Sequence, residues 1–498
     1  MEKLSFKSCF IFNPNLKSLV KKPSDDEKQD AKLLIYYPAC EEILVKRSNM
    51  GIIEGTIQFN HSFNSLQEKS EKNKLKDEFL LTELNSTYYF SQKFEDEYYI
   101  AISVDKKNKI FNLNESTNYR VKLFKDILTR FYDYFYLFHG SFKDNFFPEG
   151  KDIRNDSTLF NHVTTVFSDF ITCYFDNIGN YSKTEEYQTP ITDGILYSTC
   201  NTYPNLLFSI LRVNEKFRDI KSISLVYNGF LIHNEIDIDI MSLLYNILYN
   251  NINGDNNYDK FRYPIFHEEI NNNEIKDENK KMTSKLLNFP LASSPFMKGF
   301  IENNKNNINI NSNNYFIGCD LNNKKVYIPI LYNYNNKQKM KLMIYNLKEL
   351  SIFLFFDENF EIKESDIFDQ MAVFLEVCFT QNLEELKKIN FDDKIKDLKK
   401  EFDFVYYNKQ NKSFRLSYSF YSKNSKDLDK SKIPVLEKIK QLIMSNRIKK
   451  SVTKFEGQYL YYFEQFQKNV AIILKENKPI EEVKVKYFNK ILKTIEFY

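Results

Sequence analysis

Short apolar runs of strand length alternate with stretches of helical spacing along this chain, in the same order three times over. The first unit opens with Ser8-Cys9-Phe10-Ile11-Phe12, closed by the turn signal Asn13-Pro14, and a charged loop leads to a second strand-like run at 33–38. A helix is predicted over 50–63, where Ile52, Thr56, Phe59 and Phe63 share one wheel face and Glu54, Gln58, His61 and Ser62 the other. Strand-like runs follow at 79–84, 88–94 and 98–104. Val121, Phe124, Leu128, Phe131, Phe135, Phe138 and Phe142 then step by three and four, which predicts a long helix. Gly140 falls where a left-handed cap ends such a helix. Leu159, Val163, Val166, Phe170 and Tyr174 predict one more, over 159–175.

The second unit carries the plainest local signal. Residues 223–227 and 230–233 flank Asn228-Gly229, the preferred dipeptide of a two-residue hairpin. Ile240, Leu244, Ile247 and Leu248 predict a helix straight afterwards. Beyond a polar stretch and an Asn-rich run at 303–314, strands resume at 325–331, 341–345 and 350–356, and a helix over 364–386 carries Phe368, Met371, Phe374 and Val377 on one stripe. The third unit repeats the order in smaller form. Its predicted strands lie at 402–406, 414–419, 451–455, 458–463 and 470–474. A helix opened by Pro434 carries Leu436, Ile439, Leu442 and Ile443, and a last helix runs from Pro479 to about Glu496.

Hairpin, helix, three strands, helix is the signature of a five-stranded antiparallel sheet with helices packed on it. The expected fold class is therefore α+β, with three longin- or roadblock-like domains, each roughly five-stranded. Their expected limits are 1–200, 215–388 with an insertion at about 250–314, and 400–498.

Composition narrows the function classes. Among 498 residues, 42% are hydrophobic and 28% charged, the balance of a globular chain, and 70 Lys+Arg stand against 67 Asp+Glu. That near-neutral balance lacks the basic face nucleic acid requires, so none is expected as a partner. The Asn-rich run is polar and without apolar periodicity, and reads as a solvated insertion. Cys9, Cys40, Cys173, Cys200, Cys319 and Cys378 lie far apart with no CxxC spacing, and no signal peptide is read at the start, so buried free thiols in a cytosolic protein are expected. No apolar stretch reaches the ~18 residues of a membrane span, which makes any membrane association peripheral.

Catalytic patterns are missing. The histidines His61, His139, His162, His233 and His267 show no metal-ligand spacing, so no metal is expected. His139, beside the helix end at Gly140, reads as a ring whose cationic form would favour the helix dipole. The 11 glycines form neither a phosphate-cradling loop nor a nucleophile elbow, and no cofactor is expected. Gly51 and Gly55, four apart on the first helix, read as close packing of that helix on its sheet. The chain is expected to catalyse no covalent reaction. Arg447, Lys449, Lys450 and Lys454, interleaved with apolar residues, are either solvated surface or a contact for anionic lipid headgroups.

Phe10-Ile11-Phe12-Asn13-Pro14, Leu34-Ile35-Tyr36-Tyr37-Pro38 and Gly51-Ile52-Ile53-Glu54-Gly55-Thr56-Ile57-Gln58-Phe59 in the first unit, with Leu137-Phe138-His139-Gly140-Ser141-Phe142 at its helix end, carry a resemblance to the Ccz family of vacuolar fusion proteins. Tyr227-Asn228-Gly229-Phe230-Leu231-Ile232 and Phe404-Val405-Tyr406-Tyr407-Asn408 resemble the openings of the later modules. The match is collinear except over about 252–314. It implies a triple-longin subunit that pairs with a Mon-family longin protein to form the guanine nucleotide exchange factor of a late-endosomal Rab GTPase of the Rab-seven type. It further implies a cytoplasmic protein recruited peripherally to late endosome, lysosome or phagosome membranes. In such factors the paired first longin domains form the GTPase platform, which directs attention to the first helix. With Ile52, Phe59 and Phe63 assigned to the sheet, Ile53, Ile57 and Asn60 are the expected accessible shoulder for partner or GTPase.

Overall fold

A computed structural model describes residues 6–67, 79–95, 97–107, 117–181, 204–227, 229–249, 315–320, 325–335, 338–360, 366–387, 402–410, 412–417, 433–444, 448–455 and 457–496. The expected insertion at 250–314 and its Asn-rich run lie outside the described residues.

The first unit contains β1 (Phe6–Phe12), α1 (Asp25–Asp30), β2 (Leu33–Tyr37), α2 (Ile43–Gln67), β3 (Phe79–Glu83), β4 (Thr87–Lys93), β5 (Tyr99–Asp105), α3 (Thr117–His139), α4 (Phe142–Phe146) and α5 (Ser157–Tyr181). Its strands pair antiparallel in the order β2-β1-β5-β4-β3. Successive strand side chains point to opposite faces. Phe10 and Phe12 therefore meet Met50, Ile53 and Ile57 of α2, while Cys9 and Ile11 meet Phe124, Phe131 and Phe135 of α3. Both faces are covered, which is why β1 and β5 read as near-continuous apolar runs rather than alternating ones. The stripe expected on α3 is buried from Phe124 to Phe138, and Gly140 (φ 74) ends the helix. The charged loop before β2 holds α1, whose Ser24 and Glu27 cap its start reciprocally.

The second unit contains α6 (Pro204–Lys216), β6 (Ile220–Tyr227), β7 (Phe230–Asn234), α7 (Ile238–Tyr249), β8 (Tyr315–Asp320), β9 (Lys325–Tyr327), β10 (Ile330–Tyr332), β11 (Lys339–Leu347), β12 (Leu350–Asp357) and α8 (Asp366–Lys387). The order β7-β6-β12-β11-β8 repeats that of the first sheet, and two short strands extend it to seven: β9 pairs with β8, and β10 takes the free edge at the start of β11. Helix α6, which begins ahead of the expected start of this domain, packs on the same sheet face as α8. On α8 the buried stripe runs through Met371, Leu375, Cys378 and Leu383; Val377, expected inside, is exposed.

The third unit is β13 (Asp403–Asn408), β14 (Phe414–Leu416), α9 (Ile433–Met444), β15 (Lys450–Phe455), β16 (Gln458–Gln465), β17 (Lys468–Leu474), α10 (Ile480–Val483), a π-turn at Lys484–Phe488 and α11 (Asn489–Glu496). Its sheet order, β14-β13-β17-β16-β15, is the same again. Leu436 and Ile439 of α9 cover one face, Tyr487, Phe488 and Ile491 the other.

The first two units share a core. Val226, Leu231, Phe353 and Phe355 of the second sheet and Ile240, Met241 and Leu244 of α7 join one cluster with α3 and α5 of the first unit. Tyr136 meets Tyr334 edge-on at 4.9 Å between ring centroids. The third unit meets the second through Lys412 and Asp239, 2.7 Å apart, and through the Arg415 guanidinium 4.6 Å over the Phe230 ring.

Candidate interaction surfaces

Helix α2 is held by polar contacts along its inner edges. Arg47 donates to both Asp30 oxygens and to Asp26, tying α1 to α2, and the bond to Asp30 raises the guanidinium pKa further above its ordinary value. Lys32 and Glu54 lie 2.6 Å apart, with Glu54 buried. Asn49 donates to the Tyr36 hydroxyl and accepts from that of Tyr89, whose pKa burial raises. These bonds fix the rotation of the helix, and so decide which face it shows.

That face is not the expected one. Ile53 and Ile57 are 0% and 3% exposed and belong to the core with Phe10, Phe12 and Tyr99, so they cannot be an accessible shoulder. Asn60 is half-buried beside them in sequence. Phe59, expected in the core, is 65% exposed, and Leu44 is 68% exposed. The reason is geometric: apolar residues lie on more than one side of α2, and the wheel gives their relative angles but not which side meets the sheet. Gly51 and Gly55 are corrected with them. A Cβ added at either would meet nothing within 4 Å, so neither glycine serves close packing on the sheet. Ser48, Gly51 and Gly55 thus form a shallow, small-residue strip on the outer face, between Leu44 and Phe59.

The basic residues of the third unit are also redistributed. Arg447 lies outside the described residues. Lys449, Lys450 and Lys454 are exposed, but β15 separates them: Lys450 pairs across to Phe463, whereas Lys454 pairs to Tyr459 near the other end of the strand. Lys450 bridges to Glu481 at 2.9 Å, and Lys454 sits over the Tyr459 ring. They are not one cluster.

Two further expectations change. His139 is buried among Phe135, Phe167 and Phe170, and burial pushes its pKa well below the ordinary range, so the neutral ring is favoured and the cationic capping role does not hold. Cys9 and Cys378 are buried, as expected, but Cys40 is exposed. Among the described residues no group of three or more His, Cys, Asp or Glu is placed to hold a metal ion, and no helix is long and apolar enough to cross a membrane.

Sequence reasoning missed Leu44 and Phe59 as surface residues. The signal available was the pair of helix-interior glycines, which cost a helix about 1 kcal/mol each relative to alanine and call for a reason.

Residues 6–140 match the family model described as the first longin domain of INTU, CCZ1 and HPS4. The first unit is therefore a longin domain of that kind, and the two further sheets with the same strand order make this an α+β protein of three longin-like units. No curated protein matches the chain.

Proposed function

We propose that the chain is a non-enzymatic subunit of a membrane-trafficking complex, specifically of a guanine nucleotide exchange factor for a late-endosomal Rab GTPase, working beside a Mon-family longin subunit. The observation that carries this reading is the match of residues 6–140 to the first longin domain shared by INTU, CCZ1 and HPS4, set at the head of three like units. Exchange of this kind needs no bond-making side chain. A complex that binds the nucleotide-free, remodelled switch regions better than the nucleotide-bound form shifts the equilibrium by that difference in affinity alone.

The outer face of α2 is the surface this reading would use. Gly51 and Gly55 let another backbone approach closely, while Leu44 and Phe59 offer apolar anchors at either side. The deciding experiment is release of labelled GDP from the late-endosomal Rab by the chain together with its Mon-type partner. Acceleration over the intrinsic rate supports the reading; release at the intrinsic rate overturns it. Binding without acceleration would leave a longin-based scaffold that tethers trafficking components.

A further inference from the structure

Strand β15 is an outermost strand of the third sheet, and its ladder shows how that edge is built. The Glu464 amide donates to the Lys449 carbonyl at 2.7 Å, and the register runs unbroken from Lys450 opposite Phe463 to Phe455 opposite Gln458. Along an antiparallel ladder bonded pairs alternate with unbonded ones. Lys449, Ser451, Thr453 and Phe455 therefore turn their amides and carbonyls to β16, whereas Lys450, Val452 and Lys454 turn theirs outward. Among the described residues no backbone group bonds to that outer side. The opposite edge of the sheet, β14, is three residues long, so β15 with six is the edge that offers a run of such groups.

The side chains along β15 select what can join it. Lys450, Val452 and Lys454 are exposed and share the sheet face of Phe463, Tyr461 and Tyr459, their partners across the strand pair. Val452 is 42% exposed, an aliphatic side chain flanked by one strand instead of two. Lys450 is engaged with Glu481 at 2.9 Å, whereas Lys454 lies over the Tyr459 ring at 5.8 Å and forms no ion pair with a carboxylate among the described residues. Lysines along an edge repel a like strand and admit an unlike one. Two copies of this chain paired antiparallel about Val452 would set Lys450 of each opposite Lys454 of the other, which disfavours a second copy. A strand with a carboxylate opposite Lys454 and an aliphatic side chain opposite Val452 meets both, while its backbone bonds the outward groups.

We propose that β15 is a β-augmentation site for an extended, antiparallel segment of a partner protein, carrying an acidic residue two positions before an aliphatic one. In that register the acid faces Lys454, the aliphatic side chain covers Val452, and the segment's N–H and C=O groups bond those of Lys450, Val452 and Lys454. The site goes beyond the exchange reading, since it needs neither GTPase nor nucleotide.

The test is amide hydrogen exchange of the full chain across 449–455, with the synthetic segment Thr-Glu-Thr-Val-Thr-Ser-Thr added in excess. The amides of Lys450, Val452 and Lys454 should slow as the segment is added. Replacing its glutamate by threonine should weaken the effect about two- to fivefold, the value of one unlike pair across two strands. Lys454→Glu should reverse the preference, favouring a segment with lysine in place of glutamate. Val452→Pro removes one outward N–H and no ladder bond, so the sheet should stay folded while the protection is lost. Unslowed exchange overturns the proposal, as does slowing indifferent to the charge of the segment, or protection that survives Val452→Pro. Where Val452→Pro fails to fold, the reversal by Lys454→Glu decides alone. Slowing that rises with chain concentration in the absence of any segment would assign the edge to a second copy, and overturns the proposal too.

Discussion

Gly140 and Tyr332 belong to different sheet units and lie so close that a Cβ added to the glycine would stand 2.9 Å from the Tyr332 Cδ1. The glycine has φ 74 at the end of α3, and the tyrosine closes β10 of the second sheet. One position therefore serves two needs, a left-handed helix end and close approach of the neighbouring unit.

Gly140→Ala should destabilise the chain by more than the roughly 1–2 kcal/mol that a left-handed alanine costs, because the methyl also meets the ring. Tyr332→Ala in the same chain removes that second part. A double-mutant cycle by urea denaturation should show a coupling of at least about 0.5 kcal/mol. Strict additivity would show that the ring yields freely.

Buried His139 gives stability a pH dependence with a definite sign. Its folded pKa lies below the value near 6.5 of the unfolded chain, so below about pH 6.5 the unfolded state binds the extra proton. The contribution is full above that pH and lost as pH falls. The denaturation midpoint of the wild type should decline between pH 7 and 5 more steeply than that of His139→Leu. Parallel curves would remove His139 as a source of the slope.

On α2 the two faces should respond in opposite ways. Ile53→Asp with Ile57→Asp puts carboxylates into the core and should abolish cooperative unfolding, since each uncompensated buried charge costs several kcal/mol. Phe59→Asp with Leu44→Asp should leave the unfolding midpoint within about 1 kcal/mol of wild type and weaken association with the Mon-type subunit. Gly51→Ala and Gly55→Ala should each stabilise the isolated chain by about 0.5–1 kcal/mol, because nothing stands where the methyl goes. An intact complex in the Phe59 and Leu44 variant would remove the outer face from the proposed interface.

Arg415 over Phe230 and Lys412 beside Asp239 hold the third unit to the second. Arg415→Ala should loosen this contact, seen as faster amide hydrogen exchange in β7 and β14, with little change in the cooperative unfolding of either unit. A cation over a ring is worth about 1–2 kcal/mol when desolvated, enough to shift an opening equilibrium severalfold. Unchanged exchange would show that other contacts hold the two together.

The amino-acid order by itself determined what is local or periodic. The strands carried a legible period of two or continuous apolar runs, the α3 stripe advanced by threes and fours, Asn228-Gly229 marked a hairpin and Gly140 a helix end, and the threefold recurrence of one order gave the fold class. Tertiary structure alone decided which side of a helix is inside. Met50, Ile53 and Ile57 form one stripe of α2, and Leu44 and Phe59 lie around the other side. Both are apolar, and only the sheet beneath, with Asn49, Glu54 and Arg47 pinning the rotation, selects between them. The same holds for Val377 on α8 and for the neutral state of His139. Burial and proximity are properties of pairs of elements distant along the chain, whereas periodicity is a property of one element.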